Sequence, residues 1–302
     1  VCGIVGIFYK GARDTGVGPV GDVLVRMCQE LHRRGSDSTG FALYGQPDHT
    51  TVVRVDLERA DLERGAELTA AAAGEIGEVR HWELIGRSVR LEMAAGQDPV
   101  LADRIEARVH GARVFSVGAS MEIVKDLGSA VEVDRAYGVS GAHGTHGIGH
   151  TRMATESIVD IAHSHPFWAR PFSDIAVVHN GTITNYHRLR RRLEMRGHRF
   201  STGNDSEVIA VYIADRLQSG DSLEDALRAS VDDLDGSFAY LISTDRGIGL
   251  ARDQFATKPL LYAETDELVV LSSEECAVRK VFATPSLVPR ELQAREVRWW
   301  LR

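Results

Sequence analysis

The sequence predicts an α+β fold, and three observations carry that expectation. Short apolar runs bounded by turn residues crowd the C-terminal part, apolar positions recur at helical spacing between residues 185 and 231, and the chain opens on the strand-like run Gly3-Ile4-Val5-Gly6-Ile7-Phe8. Together they support a mixed α+β protein.

The elements follow in order. After the opening strand and a turn-rich segment, Val20, Leu24, Cys28 and Leu31 share one face of a helix expected near residues 20–33. The polar turn Arg34-Gly35-Ser36-Asp37-Ser38-Thr39-Gly40 leads into a strand at 41–44, and 51–55 is expected as its hairpin partner. From about 56 to 144 the character changes, with helical stretches at 61–73 and 102–109 alternating with short strands such as 113–117. No proline-rich or Gly/Ser linker isolates this stretch, so it is expected as an α/β elaboration inserted in one domain spanning 1–302. Strands near 147–150 and 174–179 precede helices at 185–196, 205–218 and 223–231. Apolar runs at 237–243, 247–251, 260–263 and 268–272 read as strands, followed by a helix at 274–281. Finally Val297, Trp299 and Leu301 alternate with Arg298, Trp300 and Arg302, the pattern of a last strand at a sheet edge that offers apolar surface to a partner.

Composition narrows the function. With 35 basic against 43 acidic residues the net charge is −8, which argues against nucleic acid or an anionic membrane as the main partner. The basic run Arg188-Leu189-Arg190-Arg191-Arg192 is expected on the solvated face of a helix. No apolar run approaches the ~18 residues of a membrane span and no signal-like segment precedes Cys2, so the expected location is cytoplasmic. Cys2, Cys28 and Cys276 are too few and too scattered for a disulfide framework, and Cys28 is expected in the core.

Cys2 is the most informative residue. As the first residue of a mature chain it would carry its own base, because an α-amino group titrates near ~8 and a thiol near ~8.5, so the amine can take the thiol proton. That chemistry requires removal of Val1, read here as a GTG start codon translated literally. Asn180-Gly181, closing the apolar run Ile175-Ala176-Val177-Val178, sets a side-chain amide beside an unhindered backbone N–H, which suits an oxyanion hole; the same dipeptide also suits a plain hairpin turn. Arg152 could grip a carboxylate and Asp205 an ammonium, the two ends of an amino-acid zwitterion; singly, each also suits a surface ion pair or, for Asp205, a helix N-cap. Histidine is concentrated at His143, His146, His150, His163, His165 and His179. Their spacing fits hydrogen-bonding residues that stiffen loops better than a zinc site.

Taken together, the segments Cys2-Gly3-Ile4-Val5-Gly6, Arg34 to Gly40, Gly149-His150-Thr151-Arg152, His165-Pro166, Val178-His179-Asn180-Gly181 and Asn204-Asp205-Ser206-Glu207 resemble the glutaminase domain of class II glutamine amidotransferases, in the N-terminal nucleophile hydrolase superfamily. Ala251-Arg252-Asp253, Lys258-Pro259-Leu260 and Ser272-Ser273-Glu274 are similar to further landmarks of that fold. The resemblance implies a four-layer αββα sandwich. It also implies that Cys2 attacks the side-chain amide of L-glutamine through a thioester, that Asn180 and Gly181 hold the oxyanion, and that Arg152, Asp205 and His165 bind substrate. Met153 stands where sugar-phosphate amidotransferases have Trp, and Glu156 where they have His; both departures bear on how ammonia is gated.

The long elaboration and the run Met-Ala-Thr-Glu-Ser after Arg152 look most like the separate amidotransferase subunit of split glutamate-synthase-like enzymes, such as N-methylglutamate synthase. That implies a hetero-oligomer in which synthase subunits receive the ammonia. No cofactor or metal is expected in this chain, any FMN or iron–sulfur group residing in the partners. Two other expectations stay open: an N-terminal cysteine hydrolase acting on a different amide, and a non-catalytic regulatory subunit of the same fold.

Overall fold

Strand β1 (Gly3–Tyr9) is buried along its whole length, and its alternate side chains enter two different cores. Val5, Ile7 and Tyr9 join one cluster while Ile4 and Phe8 join another, the period-2 consequence of a pleated strand covered on both faces. The computed structural model describes residues 2–302 apart from 12–15, 47–48, 59, 95, 97–98, 154–158 and 283–286, so Val1 and Glu156 lie outside the described residues.

In chain order β1 is followed by α1 (Val20–Glu30), β2 (Ser38–Tyr44), β3 (Thr50–Leu57), α2 (Leu62–Gly74), β4 (Val79–Ile85), β5 (Ser88–Ala94), α3 (Leu101–Arg108) and β6 (Ala112–Gly118). Next come β7 (Met121–Leu127), α4 (Ala130–Tyr137), β8 (His146–Arg152), β9 (Phe167–Trp168), β10 (Ala176–Ile183), α5 (Tyr186–Met195), α6 (Asp205–Gln218) and α7 (Leu223–Asp233). The chain closes with β11 (Gly236–Thr244), β12 (Gly247–Arg252), β13 (Leu261–Glu264), β14 (Leu268–Ser272), α8 (Glu275–Val281), β15 (Arg290–Glu291) and β16 (Val297–Leu301).

Two sheets form the centre. A seven-stranded sheet runs β15-β13-β14-β1-β8-β2-β7, and a five-stranded sheet runs β16-β12-β11-β10-β9. Ile4, Ile148 and Leu271 from the first meet Val178, Leu241 and Leu250 from the second in the core between them. Leu24 of α1, Val133 of α4 and Val278 of α8 cover the outer face of the seven-stranded sheet. Leu189 of α5, Ile209 of α6 and Leu227 of α7 cover the outer face of the five-stranded one. The result is the four-layer αββα sandwich. On α5 Leu189 and Leu193 point inward while Arg188, Arg191 and Arg192 face solvent, as the amphipathic spacing requires.

The elaboration differs from its expected form. Residues 51–55 are not the hairpin partner of β2, whose pairing runs to β7 with Tyr44 opposite Met121 and Ser38 opposite Leu127. β3 instead belongs to a third, four-stranded antiparallel sheet of order β4-β5-β3-β6. Residues 45–120 are therefore spliced into the turn of the β2–β7 hairpin, and proximity in sequence misleads about pairing. The boundary at 144 also moves, because β7 and α4 belong to the seven-stranded sheet and its helical layer. Val53, Leu91, Ala66 of α2 and Ile105 of α3 join the same buried cluster as the core between the central sheets.

β16 is an edge strand, but its tryptophans are not free surface. Trp299 packs against the helix-side core and Trp300 against the core between the sheets, leaving Leu301 exposed. Among the described residues no helix is long and apolar enough to cross a membrane.

Candidate active site

Register alone brings the distant motifs together. Antiparallel pairing sets Gly3 of β1 opposite Thr151 of β8, so Cys2, just before β1, falls beside Arg152 at the end of β8. β10 enters from the other sheet with Asn180 and Gly181, and α6 begins at Asp205. Cys2, Arg152, His165, Asn180, Gly181 and Asp205 all line one cavity of about 600 Å³. Asn180-Gly181 sits inside β10 rather than in a hairpin turn. Gly181 has φ +130°, and a Cβ there would stand 1.9 Å from the carbonyl oxygen of Ser237, so no other residue fits this crossing of β10 and β11.

The main chain of Cys2 is gripped from two sides. Its carbonyl oxygen accepts from Asn180 Nδ2 at 2.9 Å and from Arg34 Nε at 3.0 Å. Arg34 is in turn paired with Glu274. The Asn180 amide also donates to Ser273 Oγ at 3.3 Å, and Ser273 exchanges hydrogen bonds with the backbone of Ile4. His150 Nε2 lies 3.2 Å from both Asn180 Oδ1 and the His179 carbonyl, two acceptors, so that nitrogen carries the proton and fixes which way the amide faces. The Cys2 sulfur is half-buried and receives the Met153 N–H at 3.4 Å.

Asp205 occupies the first turn of α6, where a carboxylate is favoured by the exposed N–H groups. It is not the cap: Asn204 takes that role by accepting from the Ser206 N–H at 2.9 Å. Asp205 Oδ2 accepts from the Ile183 N–H at 2.8 Å, which ties the helix start to the end of β10.

Ser206 is a hub. Its hydroxyl donates to Asp205 Oδ1 at 3.3 Å and lies 3.0 Å from His165 Nε2 and 2.8 Å from His179 Nδ1. A hydroxyl has a single hydrogen, so once it is given to Asp205 both imidazoles must donate to Ser206. His165 Nδ1 and His179 Nε2 are then bare acceptors, and both are buried without a hydrogen-bond partner among the described residues. Burial holds all the cavity's inner histidines below the usual range: His150 falls to about 3, His165 lies well below its ordinary value, and His179 is lowered despite the opposing pull of Asp205. They are neutral at physiological pH, as the hub requires.

Sequence reasoning selected six residues that the fold gathers in one place, and it missed the scaffold behind them. Arg34 was visible only as part of a polar turn. Ser273 was read as a fold landmark, yet it touches Asn180. Ser206 and Lys258 both line the cavity, though in the sequence they stand only within a motif and a fold landmark, with no role of their own. Among the other histidines, His143 is exposed while His146 is buried against Thr244 at 2.8 Å, so that pair does not converge. No cluster of three metal-ligating residues occurs among the described residues. Cys28 is buried, and Cys276 is exposed.

Comparison with known proteins places this geometry. A glutamine amidotransferase domain family matches residues 150–280. A Methanothermobacter thermautotrophicus protein named as a glutamine amidotransferase is 39% identical over 98% of this chain and 100% of its own length. The glutamine amidotransferase-like protein GlxB of Rhizobium meliloti is 37% identical over 91% of this chain and 89% of its own. In structure, the glutamine phosphoribosylpyrophosphate amidotransferase of B. subtilis superposes on 99% of the chain with a TM-score of 0.62 at 20% identity. The chain spans 47% of that larger protein, and the likeness is one of fold. The ordered motifs, the four-layer sandwich and full-length relatives at this identity agree, and the chain belongs to the glutamine amidotransferase family, enzymes that hydrolyse the side-chain amide of glutamine.

Proposed function

We propose that Cys2 is the nucleophile of a glutaminase site whose ammonia passes to a partner synthase of the glutamate-synthase or N-methylglutamate-synthase kind. The carrying observation is the convergence of residues from β1, β8, β10 and α6 on one cavity, with the Asn180 amide bonded to the Cys2 main chain. The Cys2 sulfur adds to the amide carbon of glutamine, and the proton it loses passes to the α-amine of Cys2 and then to the leaving nitrogen. The C–N bond breaks, ammonia departs, and water cleaves the resulting thioester to glutamate, restoring the thiol. Asn180 Nδ2 and the Gly181 N–H face the developing oxyanion, Asn180 giving up its longer bond, to Ser273, to do so. Arg152 takes the substrate carboxylate and Asp205 its ammonium, with His165 holding Asp205 in place through Ser206.

Two features support a synthase partner: the sheet spliced in at residues 45–120, and the run Met-Ala-Thr-Glu-Ser after Arg152. The amine mechanism requires that residue 1 be removed. Intact mass of the purified protein, a glutaminase assay and pull-down from the native source test the proposal together. A free Cys2 amine, slow glutamine hydrolysis alone and faster hydrolysis with a co-purifying synthase subunit are expected. A retained residue 1 would overturn the amine mechanism, and full-rate hydrolysis with no synthase attached would overturn the partner.

A further inference from the structure

Lys125 is a buried cation in β7. Its Nζ donates to the Ser164 carbonyl at 2.8 Å and the Pro166 carbonyl at 3.2 Å, the two carbonyls that flank His165. It also lies 4.5 Å from the ring centroid of Phe115, in β6 of the extra sheet, and 5.1 Å from that of Phe167. No carboxylate among the described residues pairs with it. A methionine would fill the same space without bringing a charge out of water, so packing does not explain the ammonium. Gly40 of β2 makes the contact geometrically available. It pairs with Lys125, and a Cβ on it would stand 2.2 Å from the His165 carbonyl oxygen and 2.6 Å from Lys125 Cβ.

We infer that Lys125 is a positioning residue for glutamine binding: its ammonium pins the backbone on both sides of His165, and Phe115 of the extra sheet keeps that ammonium dry. Pinning the backbone fixes the His165 ring, which holds Ser206, which in turn donates to Asp205. The spliced-in sheet thereby acquires a function, since one of its aromatic rings shields the charge that orders the substrate site. This inference rests on the glutaminase reading proposed above.

The ammonium is also poised to titrate. Burial, helped by Arg113 of β6 and opposed by Asp56 of β3, Glu207 of α6 and Asp160, brings Lys125 down to about 7. Raising the pH above neutrality therefore removes the charge and leaves the two carbonyls with the weaker donors of a neutral amine.

The test compares the full chain with its Lys125→Met and Lys125→Arg variants, measuring kcat and KM for glutamine from pH 6.5 to 9 alongside melting temperature. Lys125→Met is expected to raise KM by ~10-fold or more while kcat changes by less than ~3-fold, because the clamp, not the nucleophile, is loosened. Lys125→Arg stays charged and is expected to lose the rise in KM with pH shown by the native chain. A folded Lys125→Met protein with native KM overturns the inference. If that variant melts too low to assay, superimposable KM profiles of the native and Lys125→Arg proteins overturn it instead. A native chain that neither hydrolyses glutamine nor is labelled at Cys2 by an electrophilic glutamine analogue removes the glutaminase reading itself, before any variant is made.

Discussion

The side-chain amide of Asn180 donates to the main-chain carbonyl of Cys2 across 2.9 Å, joining a residue inside β10 to the residue that precedes β1 in the opposite sheet. The nucleophile's backbone and the proposed oxyanion donor are thus one mechanical unit. Asn180→Ala is expected to lower kcat by ~10²–10³ from the lost oxyanion donor. It should also slow labelling of Cys2 by an electrophilic glutamine analogue, since one of the two bonds holding the Cys2 carbonyl is gone. An unchanged labelling rate would leave Asn180 without its positioning role.

Cys2→Ala is expected to abolish glutamine hydrolysis while melting like the native protein, because Cys2 is only partly buried and the strand after it carries the packing. The same electrophile should spare both other thiols for different reasons. Cys28 is enclosed, and burial pushes its thiol far up. Cys276 is reachable, but partial burial and then the Glu274 carboxylate 3.6 Å away raise it. Mass spectrometry of labelled peptides checks this, and comparable labelling of Cys276 would contradict it.

The clamp is best probed by Arg152→Ala and Asp205→Asn. Alanine at 205 would also strip the acceptor from the Ile183 N–H, whereas asparagine keeps an oxygen there, removes the charge and turns the atom facing Ser206 from acceptor to donor. Both variants should raise KM for glutamine more than they lower kcat, since a zwitterion is held in ground and transition states alike. Steady-state kinetics with KM unchanged in both would dismiss the clamp.

Acid should destabilise the fold in a defined window. His146 is held near 4 and His150 near 3 by burial, against 6.5 for an unperturbed imidazole. The unfolded chain therefore takes up protons first as pH falls, so the stability these residues contribute is whole above about 6.5 and is lost progressively down to 4 and below. Melting temperature followed from pH 7.5 to 4 should drop steadily below 6.5. His146→Asn should flatten part of that drop, because asparagine can still meet the Thr244 carbonyl without titrating.

Much of this was legible before any coordinates. Cys2, Arg152, His165, Asn180, Gly181 and Asp205 carry chemistry that has few other uses in combination, and they share one cavity. Helix α6 and strand β14 begin and end where spacing and turn residues place them. What escaped depends on register between strands far apart in sequence. Arg34 meets the Cys2 carbonyl only because a turn from residue 34 folds under the start of β1, and no local pattern records that. Lys125 looks like one more charge in a short strand until β2 and the His165 segment close over it. The pairing of β2 with β7 was hidden for the same reason, since the intervening residues carry a sheet of their own.

That hairpin makes the extra sheet a graft. The chain departs at Tyr44 and returns at Met121 directly across the ladder, so in covalent terms a short turn could replace everything between, and loop length there weighs little on closure entropy. The underside is less forgiving. Val53, Leu91 and Ile105 are buried in the same cluster as Ile4 and Tyr44, so excision would lay bare an oily wound and take the Phe115 ring away from Lys125. The graft is easy to cut in the backbone and hard to cut in the core, and a minimal amidotransferase carved from this chain would need a new surface before it needed a new loop.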